Sequence, residues 1–249
     1  MQSTFSKIAV SSLVSAAVAA AALSPVFVLA KTSPCDATGD KTTVAGIIAR
    51  GDCRISERDT DLSAALTRVS QMTKVSQTVK DQLTQTLNNT VSTMGTIKSK
   101  LDADTDLTTV KTDYRSIFNS VRVYQLILPQ TWMVAASDRM EDATAKLQTL
   151  HDDLQTLVNG LQDNTTKGAA QQLLDSMASS ISDANTQVGT VMNTSTGVLS
   201  LMPDNGDKTK QSANQTAIKG FRANIQTART DINTAVSDAK QVKQMIGAN

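Results

Sequence analysis

Between residues 140 and 161 the apolar side chains fall at alternating steps of three and four: Met140, Ala143, Leu147, Leu150, Leu154, Leu157 and Leu161. Only helical winding lines up such a spacing, and a stripe of that length stays dry only against other helices. The rhythm resumes after a polar loop at 163–167, through Leu174, Met177, Ile181, Ala184, Val188, Val191, Ser195, Val198 and Met202, with Ser195 the one polar member. Pro203 and the turn-forming residues 204–207 (DNGD) end that segment. A third stripe follows at Ile218, Phe221, Ile225, Ala228, Ile232, Ala235, Ala239, Val242 and Ile246.

Three consecutive stripes joined by short loops predict an all-α fold, an elongated antiparallel helical bundle or coiled coil. A helix of about 33 residues measures roughly 50 Å, so the expected shape is a rod. Ala fills many stripe positions, which brings backbones close but buries less area than Leu. Aromatic residues make up 3% of the chain, too few for half-buried sheets.

Upstream, Leu62, Leu66, Val69 and Met72 form one stripe, and Val79, Leu83, Leu87, Val91, Met94, Ile97 and Leu101 another. Ser76 offers a cap between them, and either one kinked helix or two helices satisfies the pattern. A further helix carries Leu107, Val110, Tyr114, Ile117, Phe118 and Val121, followed by VYQLILPQTW, the most apolar stretch after residue 30. That stretch reads as a buried corner, with Pro129 in the first turn of the next helix. The expected helices span roughly 55–101, 107–121, 130–162, 167–202 and 209–247, after an irregular segment at 31–54.

The N-terminus reads as an export signal. Lys7 precedes an uncharged apolar run from Ile8 to Ala30, and Val28 and Ala30 occupy the positions a signal peptidase inspects. Cleavage after Ala30 is the expectation; an uncleaved anchor is the competing reading, since the run could just span a bilayer. Residues 32–34 lack the pattern of a lipoprotein signal ahead of Cys35. Removing 1–30 takes away Lys7 and no acidic residue, which leaves the charges balanced. A neutral chain with no basic block gives no electrostatic reason to expect nucleic acid or anionic membrane, and no membrane span is expected after the signal. The chain has two cysteines, Cys35 and Cys53. In an oxidising compartment they can close one disulfide, and two free thiols is the other reading.

The stretches LDADTDLTTVKTDYRSI, RVYQLILPQ, AASDRM and LMPDNGDKT resemble a family of uncharacterised exported helical proteins of candidate-phylum bacteria. The resemblance covers the chain from about Gly51 onward and implies an exported, all-helical protein. It carries no activity, ligand or catalytic residue.

Among candidate sites, Asp102, Asp104 and Asp106 alternate as the first ligands of a calcium loop do, and Asp113 stands where the last carboxylate would fall. Leu107 takes the place of the Gly that loop needs for its sharp turn. The alternative is an acidic helix junction, with Thr105 or Asp106 as cap. Asp204, Asn205 and Asp207 read as a tight turn first and a weak cation site second. Arg50, Gly51 and Asp52 spell an adhesion tripeptide that recurs by chance, and Asn88, Asn164, Asn193 and Asn214 open glycosylation triplets of the same low specificity.

His151 is the one histidine and sits among Asp152 and Asp153, with no nucleophile-and-base pattern around it. No catalytic residue and no cofactor is expected, calcium being the sole candidate. The reading is a non-enzymatic envelope or secreted protein, periplasmic, at the cell surface or extracellular, that serves as a structural or protein-interaction module. Alternatives are a calcium-binding surface module and a chaperone-like or adhesive binder gripping a protein partner through the corner at 123–132. Self-association through the stripes is open.

Overall fold

The computed structural model describes residues 33–247, so the expected export signal and the expected cleavage after Ala30 lie outside the described residues. Among those residues the chain forms six helices and no strand: α1 (Val44–Ser70), α2 (Gln77–Ala103), α3 (Leu107–Asn119), α4 (Leu128–Asn159), α5 (Asn164–Met192) and α6 (Lys208–Gly247). Short 3-10 turns occupy Pro34–Ala37 and Val198–Ser200, and a π-helical turn occupies Val123–Ile127. The protein is all-α. No helix among the described residues is long and apolar enough to cross a membrane.

Local chemistry sets where the helices begin. Thr43 Oγ1 accepts from Gly46 N at 3.1 Å at the start of α1, and Ser76 Oγ accepts from Val79 N at 3.3 Å at the start of α2. Asp106 Oδ1 takes two N–H groups, from Thr108 and Thr109, both at 2.9 Å, at the start of α3. Asp163 Oδ2 accepts from Thr166 N at 2.8 Å at the start of α5, and Asp207 Oδ1 accepts from Thr209 and Lys210 N at the start of α6. Each cap satisfies a donor that the first helical turn leaves open, at about 1 kcal/mol apiece.

Two expected boundaries are corrected, and the choice left open between one kinked helix and two is resolved. The segment 31–54 is not irregular throughout, because α1 already begins at Val44. Gly46 and Gly51 weaken its helical pattern, yet each allows a close approach, of backbone at Gly46 and of a side chain at Gly51. A Cβ on Gly46 would lie 2.2 Å from the Asp40 carbonyl oxygen, and one on Gly51 would lie 2.1 Å from Leu101 Cδ2. The span 55–101 is two helices, interrupted at 71–76. The span 167–202 stops being helical at Met192. Residues 193–197 (NTSTG) carry short hydroxyl and amide side chains that compete for backbone groups, and a glycine. Val198 is buried within a 3-10 turn and Met202 is 57% exposed, so the sevenfold spacing outlasts the helix that produced it.

The described chain divides into two compact units, one of residues 33–135 and 194–220, the other of 136–193 and 221–247. In the first, the short connection at 71–76 turns α2 back along α1. Ile47, Ile55, Met94, Ile97, Leu101, Val110 and Ile117 form a core shared by α1, α2 and α3. In the second, Gln155 pairs with Gln171 and Thr144 with Asn185, so residue numbers rise along α4 as they fall along α5, which makes the two antiparallel. Their core runs from Met140, Leu147, Leu150 and Leu154 through Leu174, Met177 and Ile181 to Ala228, Ile232 and Ala239 of α6.

Candidate interaction surface

The chemistry-bearing side chains of the first unit gather along α1. Arg50, Arg54 and Arg58 recur every four residues, which places them in one row on a helix. Arg50 Nη2 donates to Asp36 Oδ1 at 3.0 Å, and Arg54 pairs with Asp36 and with Glu57 Oε2 at 3.3 Å. The Arg50 bond first, and with it the charges of both arginines, holds the Asp36 carboxyl below its ordinary range. Asp36 belongs to the 3-10 turn Pro34–Ala37, which a disulfide between Cys35 and Cys53 also ties to α1, the Cα atoms lying 5.6 Å apart.

Arg58 is the centre of the row. It is only 4% exposed, and its guanidinium carbon lies 4.7 Å from the ring centre of Phe118 and 5.0 Å from that of Tyr124. A cation held between two ring faces in a desolvated position gains about 2 kcal/mol or more. Its Nη1 donates to the Arg54 carbonyl at 2.8 Å. Tyr124 donates to Asp61 Oδ2 at 2.7 Å, and burial, then that bond, raises its phenol well above the usual range. Tyr114 meets Phe118 edge to face at 5.4 Å. Ten residues further along α1, roughly 15 Å away, Arg68 lies over the ring of Trp132 at 5.5 Å.

These rings are locked on one side and open on the other. Phe118, Tyr124 and Trp132 keep 36–39% of their surface exposed. Around them the aliphatic side chains of the corner are closed off: Val123, Leu126, Ile127 and Leu128 are buried. At this corner the aliphatic side chains of Val123, Leu126, Ile127 and Leu128 face the core, whereas the rings of Tyr124 and Trp132 do not.

The corner itself rests on an ion pair that the spacing of residues did not reveal. Arg122 adopts a left-handed conformation (φ 49°) ahead of the π-helical turn. Its Nε and Nη2 reach both oxygens of Asp204, at 2.9 and 3.2 Å, and Asp204 is 4% exposed. Burial alone would raise the Asp204 carboxyl; the Arg122 bonds and the Gly206 N–H outweigh it and leave the pKa lowered. Beside this pair, Gln130 Nε2 donates to the carbonyls of Val198 and Leu201, both at 2.8 Å.

Of the carboxylates read as a calcium loop, Asp102 and Asp106 have structural partners. Asp102 remains on α2, 3.1 Å from Lys98 Nζ, and that lysine also pairs with Asp52 of α1. Asp106 is the cap of α3. Asp104 ends α2; burial, then the charges of Asp113 and Asp106, raises its pKa. Among the described residues no three His, Cys, Asp or Glu side chains are grouped so as to hold a metal ion. The physical reason is that Asp102 is still helical, so the alternating residues do not share one irregular loop.

Arg50, Gly51 and Asp52 lie inside α1, with Arg50 and Gly51 buried and Asp52 paired to Lys98, and are not presented on a loop. His151 Nδ1 lies 3.1 Å from Asp152 Oδ1 on α4.

Sequence reasoning passed over Arg58, took Phe118 as a stripe residue and took Tyr124 and Trp132 only as part of the apolar corner at 123–132. One signal for them existed: in so aromatic-poor a chain, both tyrosines, the tryptophan and a phenylalanine fall within residues 114–132. Comparison of the chain with protein families, curated protein sequences and solved structures finds no match.

Proposed function

We propose that this is an exported, non-enzymatic protein of the cell envelope or the secreted fraction, a helical module that binds another protein through the arginine–aromatic row along α1. The observation that carries this reading is Arg58 held between Phe118 and Tyr124, with Arg68 over Trp132, each ring still about one-third open. Tyr, Trp and Arg are the residues that dominate binding energy at protein interfaces, and rings already immobilised lose little entropy on association. Export rests on the apolar run behind Lys7, on the cysteine pair, and on the resemblance to exported helical proteins.

The test is a double variant, Tyr124→Ala with Trp132→Ala, compared with wild type by crosslinking and affinity capture from the native envelope. Each truncated anchor costs binding about 2 kcal/mol, so partners captured by the wild type should drop by more than tenfold. Unchanged helical circular dichroism must accompany the loss. Equal capture by the two proteins, both folded, would reject the row as the binding surface.

A calcium-dependent form of this module, through Asp102, Asp104, Asp106 and Asp113, has one observation in its favour. Asp104 Oδ2 is shielded from solvent with no hydrogen-bond partner among the described residues. Calorimetric titration of the purified chain with calcium chloride separates the two forms. The calcium form requires heat of binding and a higher melting temperature; the ion-independent form yields neither.

A further inference from the structure

The sharpest turn in the first unit joins the 3-10 turn Val198–Ser200 to α6. Asp207 N donates to the Asp204 carbonyl at 2.9 Å, and the two residues between them, Asn205 and Gly206, both have positive φ, 50° and 91°. That is the geometry of a type I′ turn, for which Asn-Gly is the favoured pair. Asn205 and Gly206 are exposed, whereas Asp204 is buried against Arg122.

Asn followed by Gly is also the pair in which the backbone most readily attacks the side chain. Glycine has no Cβ to obstruct the approach, and the Asn carboxamide is one bond too short to be out of reach. In this turn the attacking atom is engaged: Gly206 N donates to Asp204 Oδ1 at 2.9 Å. We propose that Asn205 is a site of spontaneous deamidation, held off in the folded chain by the Asp204 carboxylate and released when the Arg122–Asp204 pair opens.

The step balances without a co-reactant other than water. Gly206 N attacks Asn205 Cγ, the N–H proton leaves to solvent, and Nδ2 departs as ammonia after taking up a proton, which closes a five-membered succinimide. Water then opens the ring at either carbonyl, giving aspartate or isoaspartate at position 205. No oxidation state changes.

Two features of the turn oppose the first step. Attack requires Gly206 N to lose its proton, and forming that anion beside an ionised carboxylate is unfavourable. The hydrogen bond to a charged acceptor must also break, and such bonds are roughly twice as strong as neutral ones. Asp204 stays ionised at neutral pH because Arg122 grips both of its oxygens. Conversion would be irreversible and self-reinforcing. It adds a negative charge between Asp204 and Asp207, and the isoaspartyl form inserts an extra backbone carbon into a turn closed by a single backbone bond.

The experiment follows position 205 in the full chain by peptide mapping, reading the mass gained when an amide becomes a carboxylate and resolving isoaspartate by chromatography. Wild-type protein is incubated at mildly alkaline pH in buffer and in concentrated urea. Conversion at Asn205 should run about tenfold or more faster in urea, the ratio one charge-assisted hydrogen bond sets. A folded Asp204→Asn chain, checked by circular dichroism, should convert faster than wild type in buffer. No conversion at Asn205 in urea, or equal rates in urea and buffer, overturns the proposal. A folded Asp204→Asn chain converting at the wild-type rate removes the carboxylate from it. The urea comparison needs no variant and stands whether or not Asp204→Asn folds.

Discussion

Asp204→Ala should lower the stability of the chain by about 3–5 kcal/mol, the cost of leaving one member of a buried ion pair without its partner. Arg122 is 12% exposed at its side chain and Asp204 2%, so the pair is largely withdrawn from water. The loss is enlarged by geometry. Arg122 holds a left-handed conformation that costs a non-glycine residue about 1–2 kcal/mol, and the bidentate bond is what holds it there. Urea unfolding followed by circular dichroism measures the effect. Arg122→Ala with Asp204→Ala together should cost clearly less than the two single losses added, since the double variant leaves no stranded charge.

The same pair sets an acid limit. The folded pKa of Asp204 lies below its ordinary value of 3.8, so its contribution is complete above that value. It disappears as the pH falls through the lower folded pKa, when the carboxylate takes a proton and Arg122 loses its partner. The Asp204→Ala chain should lack this part of the acid sensitivity.

Leu154→Ala should cost about 2–5 kcal/mol, because Leu154 is fully buried between α4, α5 and α6, and truncation leaves a cavity that close-packed neighbours fill only in part. The informative comparison is with the next stripe position. By sequence spacing the following core residue is Leu157, yet it is half-buried and Val158 is fully buried instead. A straight helix drifts about 20° per heptad against a strict sevenfold repeat, so the buried row slips by one residue. Val158→Ala should therefore destabilise more than Leu157→Ala, although leucine is the larger side chain. The opposite order would mean that α4 supercoils and keeps the strict repeat.

The slip at Leu157 shows what kind of information the sequence carried. Helical winding depends on nearest neighbours, and the three-and-four spacing of Leu147, Leu150 and Leu154 expresses it without reference to the rest of the chain. Caps are equally local: Ser76 and Asp106 bond N–H groups three residues or fewer away, so both helix starts were legible. The start of α1 was not. Gly46 and Gly51 lower intrinsic helix propensity, and the value of Gly46 shows only when the Asp40 backbone approaches within a distance that excludes a Cβ.

The candidate surface was hidden for the same reason. Arg58 looks like any solvated arginine until Phe118, 60 residues later in the numbering, and Tyr124 close over it.

By itself, then, the sequence determined an all-α chain, most positions of its apolar stripes and the caps that start α2 and α3, because each depends on residues a few positions apart. Tertiary structure alone decided the Arg122–Asp204 pair across 82 residues, the burial of Arg58 between two rings, and where the stripe from 174 to 202 ceases to be helix. Those outcomes depend on which distant groups share a desolvated space, and no local spacing encodes that.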